Sequence, residues 1–226
     1  MPTPIMEDYL QALYQLEAAN GGIRVRTSDL ADQLEVAPPT VSSMYATLAD
    51  AALIDHEKYR GAATTDAGAE VAVETNRNRH LLEAYLSLEC GFRAGEAERE
   101  ADTLEHHISD RFVEAMEERI QNARHASDSE LGSRADDSAR IPAECDLLAD
   151  CEARSTVVVR GITEYDPVLE ATLSRWGIVS EQPLTVLESP TVATTVVSGL
   201  ESGNMVVLPD AIAAFVTVSH TPEPSY

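Results

Sequence analysis

The apolar positions at the start of the chain fall in three- and four-residue steps. Met6, Tyr9, Leu10, Leu13, Tyr14 and Leu16 form one such stripe and predict an amphipathic helix. Asn20-Gly21-Gly22 ends it. Thr27 or Ser28 is expected to cap a short second helix running to residue 34. Pro38-Pro39-Thr40 opens a third, because proline suits a first helical turn, and Val41, Met44, Tyr45 and Leu48 give it an apolar face. Residues 54–65 alternate loosely around Gly61 and read as a short hairpin. One long helix is expected over 66–90 and another over 95–123, with Leu104, Ile108, Phe112, Val113, Met116 and Ile120 as the buried stripe of the second.

The pattern then changes twice. Residues 127–152 carry eight acidic side chains, two arginines and little apolar periodicity, and read as a linker with at most a short helical turn. Beyond residue 155, Val- and Thr-rich runs at 156–160, 184–188, 192–198, 205–208 and 215–219 alternate with Gly, Pro and Asn. A helix over 167–175 sits between the first two. Five short strands predict a small β-barrel. The chain is therefore expected to be α+β, divided at residues 1–65, 66–124, 125–154 and 155–226.

Helix, short helix, turn, helix and hairpin is the order of a winged helix-turn-helix. A recognition helix needs small polar groups on its outward face to reach base edges. The third helix offers Thr40, Ser42, Ser43 and Thr47 after Pro39, and the hairpin tip offers Lys58, Tyr59 and Arg60 for phosphates. Arg24 and Arg26 precede the second helix. On pattern alone, a helical protein–protein module with a solvated Ser/Thr face competes with the DNA reader.

Charge complicates the DNA reading. The 226 residues hold 16 Lys+Arg against 39 Asp+Glu, a net of −23, and Lys58 is the one lysine. DNA affinity normally comes from cations neutralising phosphates. At about 1 M salt the Debye length is roughly 3 Å, so a salt-loaded, halophilic cytoplasm would erase most of that long-range repulsion. An ordinary acidic cytosolic protein is the competing reading. With 44% hydrophobic residues the chain is not a disordered acidic polymer. No apolar run reaches bilayer length and no charged-then-apolar leader opens the chain, so neither a membrane protein nor an exported one is expected. Cys90, Cys145 and Cys151 do not make a disulfide framework, which points to a reducing cytoplasm.

Asp102, Glu105 and His106 stand at i, i+3 and i+4, one face of a helix. Carboxylate and imidazole donors without thiolate suit a divalent first-row ion. Asp8 and Gln11 from the first helix, His80 and Glu83 from the fourth, and Glu98 are further candidates. In a chain with 39 acidic residues such spacings also arise on solvated surface, which is the competing reading. His107 points about 100° away from its neighbour and is a weaker candidate. The Cys145–Cys151 spacing lacks an accompanying ligand pair, and no phosphate loop, GxGxxG or GxSxG is present.

Met6-Glu7-Asp8-Tyr9-Leu10, Pro39-Thr40-Val41-Ser42, Glu57-Lys58-Tyr59-Arg60-Gly61, Arg79-His80 and Glu105-His106-His107 occur in this order. Together they resemble the diphtheria-toxin-repressor family of metal-dependent transcription regulators, above all its manganese-sensing branch. The resemblance covers about residues 5–123, and the tail is similar to the SH3-like (FeoA-like) domain that many members carry. It implies a winged helix for DNA, a helical metal-binding and dimerisation domain, and an SH3-like barrel. It implies a homodimer on a palindromic double-stranded operator, with metal held by Asp8, His80, Asp102, Glu105 and His106. Hard donors at the Asp8 and Asp102 positions favour Mn²⁺, and Gln11 stands where that branch has a second carboxylate. The iron-sensing branch implies an ancillary site, here His80, Glu83 and Glu98 with Asp166 or Glu170 from the barrel. The alternatives are an Fe²⁺-dependent repressor and a metal-independent winged-helix regulator. A metal-dependent enzyme is disfavoured, because the ligands lie on long helices with no nucleophile or base in a loop beside them.

Overall fold

A computed structural model describes residues 2–131, 145–163, 167–200 and 204–220. It divides into two compact units. The first is Met1–Asn76 with Pro190–Val192 and Gly203–Met205, and the second is Arg77–Ser189 with Ala193–Ser202 and Val206–Tyr226.

The first unit opens with α1 (Pro4–Ala19), whose N-cap Thr3 accepts the Met6 amide through its hydroxyl at 3.4 Å. Helix α2 (Thr27–Gln33) begins after Arg26, which supplies no side-chain cap. The cap expected from Thr27 or Ser28 does not form. Thr27 is already the first helical residue, and the Ser28 hydroxyl bonds to Asp29 instead. Helix α3 (Pro38–Asp50) starts on its proline pair, as predicted. Leu10, Leu13, Leu30, Val41, Tyr45 and Leu48 are buried together and hold the three helices.

Strands β1 (Ile54–Glu57) and β2 (Gly61–Thr64) form the antiparallel hairpin, with Glu57 opposite Gly61. An isolated bridge from Val25 to Ala62 adds a third backbone segment beside β2. Gly61 is obligatory here. Its φ is +93°, and a Cβ would stand 2.2 Å from the Val25 carbonyl oxygen. Glu17 ties the hairpin to α1, accepting from the Thr64 amide at 3.0 Å and its hydroxyl at 2.8 Å.

Helix α4 (Asp66–Leu88) runs through the boundary between the units. The single helix expected over 95–123 is two: α5 (Ala94–Leu104) and α6 (Asp110–Leu131). Of the predicted stripe, Val113, Met116 and Ile120 are buried, whereas Phe112 is 42% exposed and meets Tyr85 edge-on. Helix α6 also continues into the segment expected to be linker. The end of that segment is structured as well, with β3 (Asp146–Leu147) and a 3₁₀ turn (Leu148–Asp150) that buries Leu148 completely. Residues 132–144, and the candidate ligand Asp166, lie outside the described residues.

The remaining elements are β4 (Thr156–Ile162), α7 (Pro167–Arg175), β5 (Pro183–Leu187), β6 (Thr194–Gly199), β7 (Met205–Pro209), a short α8 (Asp210–Ala213) and β8 (Val216–His220). The five strands predicted from the sequence are all present. With β3 they make a six-stranded sheet in the order β3-β8-β4-β5-β6-β7. From β3 through β6 each neighbouring pair runs antiparallel, and a register shift lies between Val159 and Gly161 of β4. Val157, Val197, Leu208, Val216 and Val218 from the sheet share one buried cluster with Leu81 and Leu82 of α4, Ala101 of α5 and Met116 of α6. The sheet domain and the three helices therefore have a common core.

Candidate metal centre and DNA-reading face

The break between α5 and α6 shapes the metal candidates. Ala97 and Ala101 lie fully buried and fix the inner side of α5. Glu105 caps the helix in αR conformation, its amide donating to the Ala101 carbonyl at 2.9 Å. Asp102 and Glu105 therefore stay one helical turn apart. His106 follows in the turn, which closes with the His107 amide on the Leu104 carbonyl at 2.8 Å. Asp102 and His107 are exposed.

Glu105 and His106 are brought together. The Glu105 side chain is 2% exposed and that of His106 9%, and Oε1 stands 3.4 Å from Nε2. Arg79 of α4 places Nε 3.9 Å from the other Glu105 oxygen, which offsets part of the cost of burying the carboxylate. Arg79 has no signal in the sequence beyond its place before His80. In the first unit, Asp8 is exposed on α1. Gln11, one turn later, is half-buried, and its amide nitrogen has no hydrogen-bond partner among the described residues. A buried carboxylate oxygen, a hard donor, beside an imidazole nitrogen, a borderline one, is a ligand pair suited to a divalent first-row ion.

The other candidates have different partners. The Nδ1 of His80 faces the Val207 carbonyl at 2.5 Å, and its ring packs on Trp176 with centroids 4.3 Å apart. Burial pushes its pKa down to about 3 against the favourable carbonyl contact. Imidazole is thus neutral, with the proton on Nδ1. Glu83 is 4% exposed and fully engaged: Oε1 takes the Arg175 guanidinium at 2.6 Å and Oε2 takes the Trp176 indole N–H at 2.9 Å. Glu98 takes the other end of Arg175 at 2.6 Å. Glu170 lies instead along a groove of about 340 Å³ between β4 and α7. Sequence reasoning missed Arg175 and Trp176. They lie more than 90 residues from Glu83, and nothing local marks the contact.

The DNA candidates share the outside of the first unit. Pro39, Thr40, Ser42, Ser43 and Thr47 on α3 are exposed. Ser42 and Thr47 hydroxyls donate to carbonyls four residues back, at 3.1 and 3.2 Å, leaving their oxygen lone pairs outward. At the hairpin tip Tyr59 is 94% exposed with φ +69°, and Lys58 Nζ lies 5.1 Å from its ring. The neighbouring cations are partly neutralised. Arg60 pairs with Glu57 at 2.7 Å. Arg24 is held by the Asp55 carboxylate, the Asp55 carbonyl at 2.7 Å and Glu57 at 3.0 Å. Arg26 is exposed.

Residues 1–62 match the family model described as "Iron dependent repressor, N-terminal DNA binding domain", and residues 65–130 match "Iron dependent repressor, metal binding and dimerisation domain". The chain is 37% identical over 109 residues to the HTH-type transcriptional regulator MntR of Listeria welshimeri, covering 48% of this chain and 75% of the relative. It is 34% identical over 121 residues to MntR of Geobacillus kaustophilus, covering 54% and 84%. Among solved structures, ScaR with bound Zn²⁺ is similar at 24% identity and a TM-score of 0.48, over 97% of this chain and all of that one. No described helix is long and apolar enough to cross a membrane.

Proposed function

This chain belongs to the diphtheria-toxin-repressor (MntR) family of metal-dependent DNA-binding regulators, and from that premise we propose that it is a manganese-activated repressor of metal-uptake genes. It is a transcription regulator and not an enzyme. It works as a homodimer on a roughly palindromic operator, because two identical reading heads match two half-sites. Its place of work is the cytoplasm, beside the DNA.

The observation that carries the reading is the buried Glu105–His106 pair at the end of α5, inside the segment matched by the metal-binding model. The family resemblance adds Asp8, Asp102 and Gln11 as further oxygen donors. Carboxylate and amide oxygens with one imidazole favour Mn²⁺. The two relatives, each an MntR, favour it over the iron alternative. Bound Mn²⁺ supplies two positive charges that neutralise the carboxylates and make it favourable for donors on separate elements to stay together. To serve as ligands, His106 offers a neutral imidazole and Glu105 a carboxylate. Selecting one spacing of the α3 helices links ion and operator affinity reciprocally. Thr40, Ser42 and Ser43 then address base edges. Lys58, Tyr59 and Arg26 address the backbone, Arg60 stands beside them at the hairpin tip on its Glu57 partner, and Pro39 sets the approach of α3.

The test is a gel shift on an operator selected in vitro from random duplexes in the presence of Mn²⁺. Mn²⁺ is expected to raise wild-type affinity at least tenfold, and His106→Ala and Glu105→Gln to lose that gain while keeping the metal-free affinity. Equal stimulation of both variants would remove these ligands from the reading.

A further inference from the structure

Glu83 is a carboxylate buried almost completely, and such a group persists only with full compensation. Two consecutive residues at the end of α7 provide it. Arg175 gives Oε1 an N–H at 2.6 Å, and Trp176 gives Oε2 the indole N–H at 2.9 Å. The second arm of the same guanidinium reaches Glu98 on α5 at 2.6 Å. Arg175 thus joins α4, α5 and α7, and His80 closes the group by packing on Trp176 and facing Val207 of β7.

These are the residues to which the family resemblance assigns an ancillary metal. They do not fit one. Both Glu83 oxygens are occupied, and the position between Glu83 and Glu98 already holds a cation. A guanidinium cannot step aside by losing its proton, because it stays charged at every accessible pH. A divalent ion on the same two carboxylates would sit against a fixed positive charge.

We propose that Arg175 is a built-in cation that takes the place of a second metal ion: it keeps Glu83 and Glu98 from binding a divalent ion, and it latches the C-terminal sheet domain to α4 and α5 whether or not metal is present. The chain then senses metal only through the site that includes Glu105 and His106, and the sheet domain is a fixed part of the protomer.

Two measurements on the full-length protein test this. The first is Mn²⁺ stoichiometry by equilibrium dialysis with elemental analysis. Glu98→Gln is expected to bind as many ions per protomer as wild type. Arg175→Gln is expected to bind one more, and the double variant Arg175→Gln with Glu98→Gln to lose that extra ion. Loss of one ion in Glu98→Gln alone, or no gain in a folded Arg175→Gln, would overturn the proposal. The second is amide exchange in α7 of the wild type, which needs no variant to fold. Protection is expected to be the same in EDTA and in Mn²⁺, and a tenfold or greater rise in exchange on adding EDTA would overturn the latch. Failure of the regulatory-site reading shows separately, as His106→Ala keeping its full complement of ions.

Discussion

His80 shows how a single residue links packing to pH. It is neutral in the fold, held against the Val207 carbonyl and Trp176, and burial has driven its pKa to about 3. In the unfolded chain it returns to about 6.5. Between these values the unfolded state binds the additional proton, so stability is full above pH 6.5 and falls as the pH drops towards 3. The slope from this one group is about 1.4 kcal/mol per pH unit. Urea midpoints of wild type and His80→Gln, measured from pH 5 to 7.5, read it directly. Glutamine can still donate to the carbonyl, so the variant is expected to show a distinctly flatter acid limb. Parallel limbs would mean that His80 is not the group responsible. The same residue marks a limit of sequence reading. Histidine followed at i+3 by glutamate is a reasonable ligand pair on a helix. Only the fold reveals that an indole, a guanidinium and a carbonyl from distant positions already satisfy both.

At the level of elements, what was legible is what local pattern determines. Helix α7 begins at Pro167 and ends at Arg175 as expected, because proline starts it and Gly177 follows it. The hairpin is legible from Gly61, whose positive φ no other residue adopts cheaply. The break between α5 and α6 is not, because Leu104, Ile108 and Phe112 keep a four-residue step straight across it. The available signal was Ser109-Asp110, an N-terminal pair that starts α6. That break decides the site, since it takes His106 off the helix and into a turn. Glu17 is a comparable device in the other unit, joining α1 to β2 through both Thr64 donors. Glu17→Ala leaves the Thr64 amide without its acceptor, at a cost of about 1–3 kcal/mol. The expected result is faster exchange of the Thr64 amide with α2 and α3 protection unchanged. Uniform acceleration through the unit would show instead that Glu17 supports the whole core.

For the whole molecule the central tension is a DNA-binding chain with a net charge of −23. Residues 1–65 carry four basic side chains against nine acidic ones. Of the four, Arg24 and Arg60 are already paired with Asp55 and Glu57, which leaves Arg26 and Lys58 as the cations without an ionic partner among the described residues of this unit. Counterion release then has few phosphates to work with. If each protomer of a dimer neutralises two, log K for the operator falls with log [KCl] at a slope no steeper than about −4, from roughly 0.9 per phosphate. Carboxylates facing the duplex flatten the slope further, because cations must be retained between like charges. Specificity must therefore rest on the short polar groups of α3 and on the shape of the duplex more than on bulk attraction. Filter binding or fluorescence anisotropy with saturating Mn²⁺, from 0.1 to 2 M KCl, measures the slope. Arg26→Ala is expected to make it shallower by about 2 per dimer, since each protomer then neutralises one phosphate fewer. A wild-type slope near −10 would require phosphate contacts that Arg26 and Lys58 cannot supply, and would mean that Arg24 and Arg60 abandon their carboxylates on DNA.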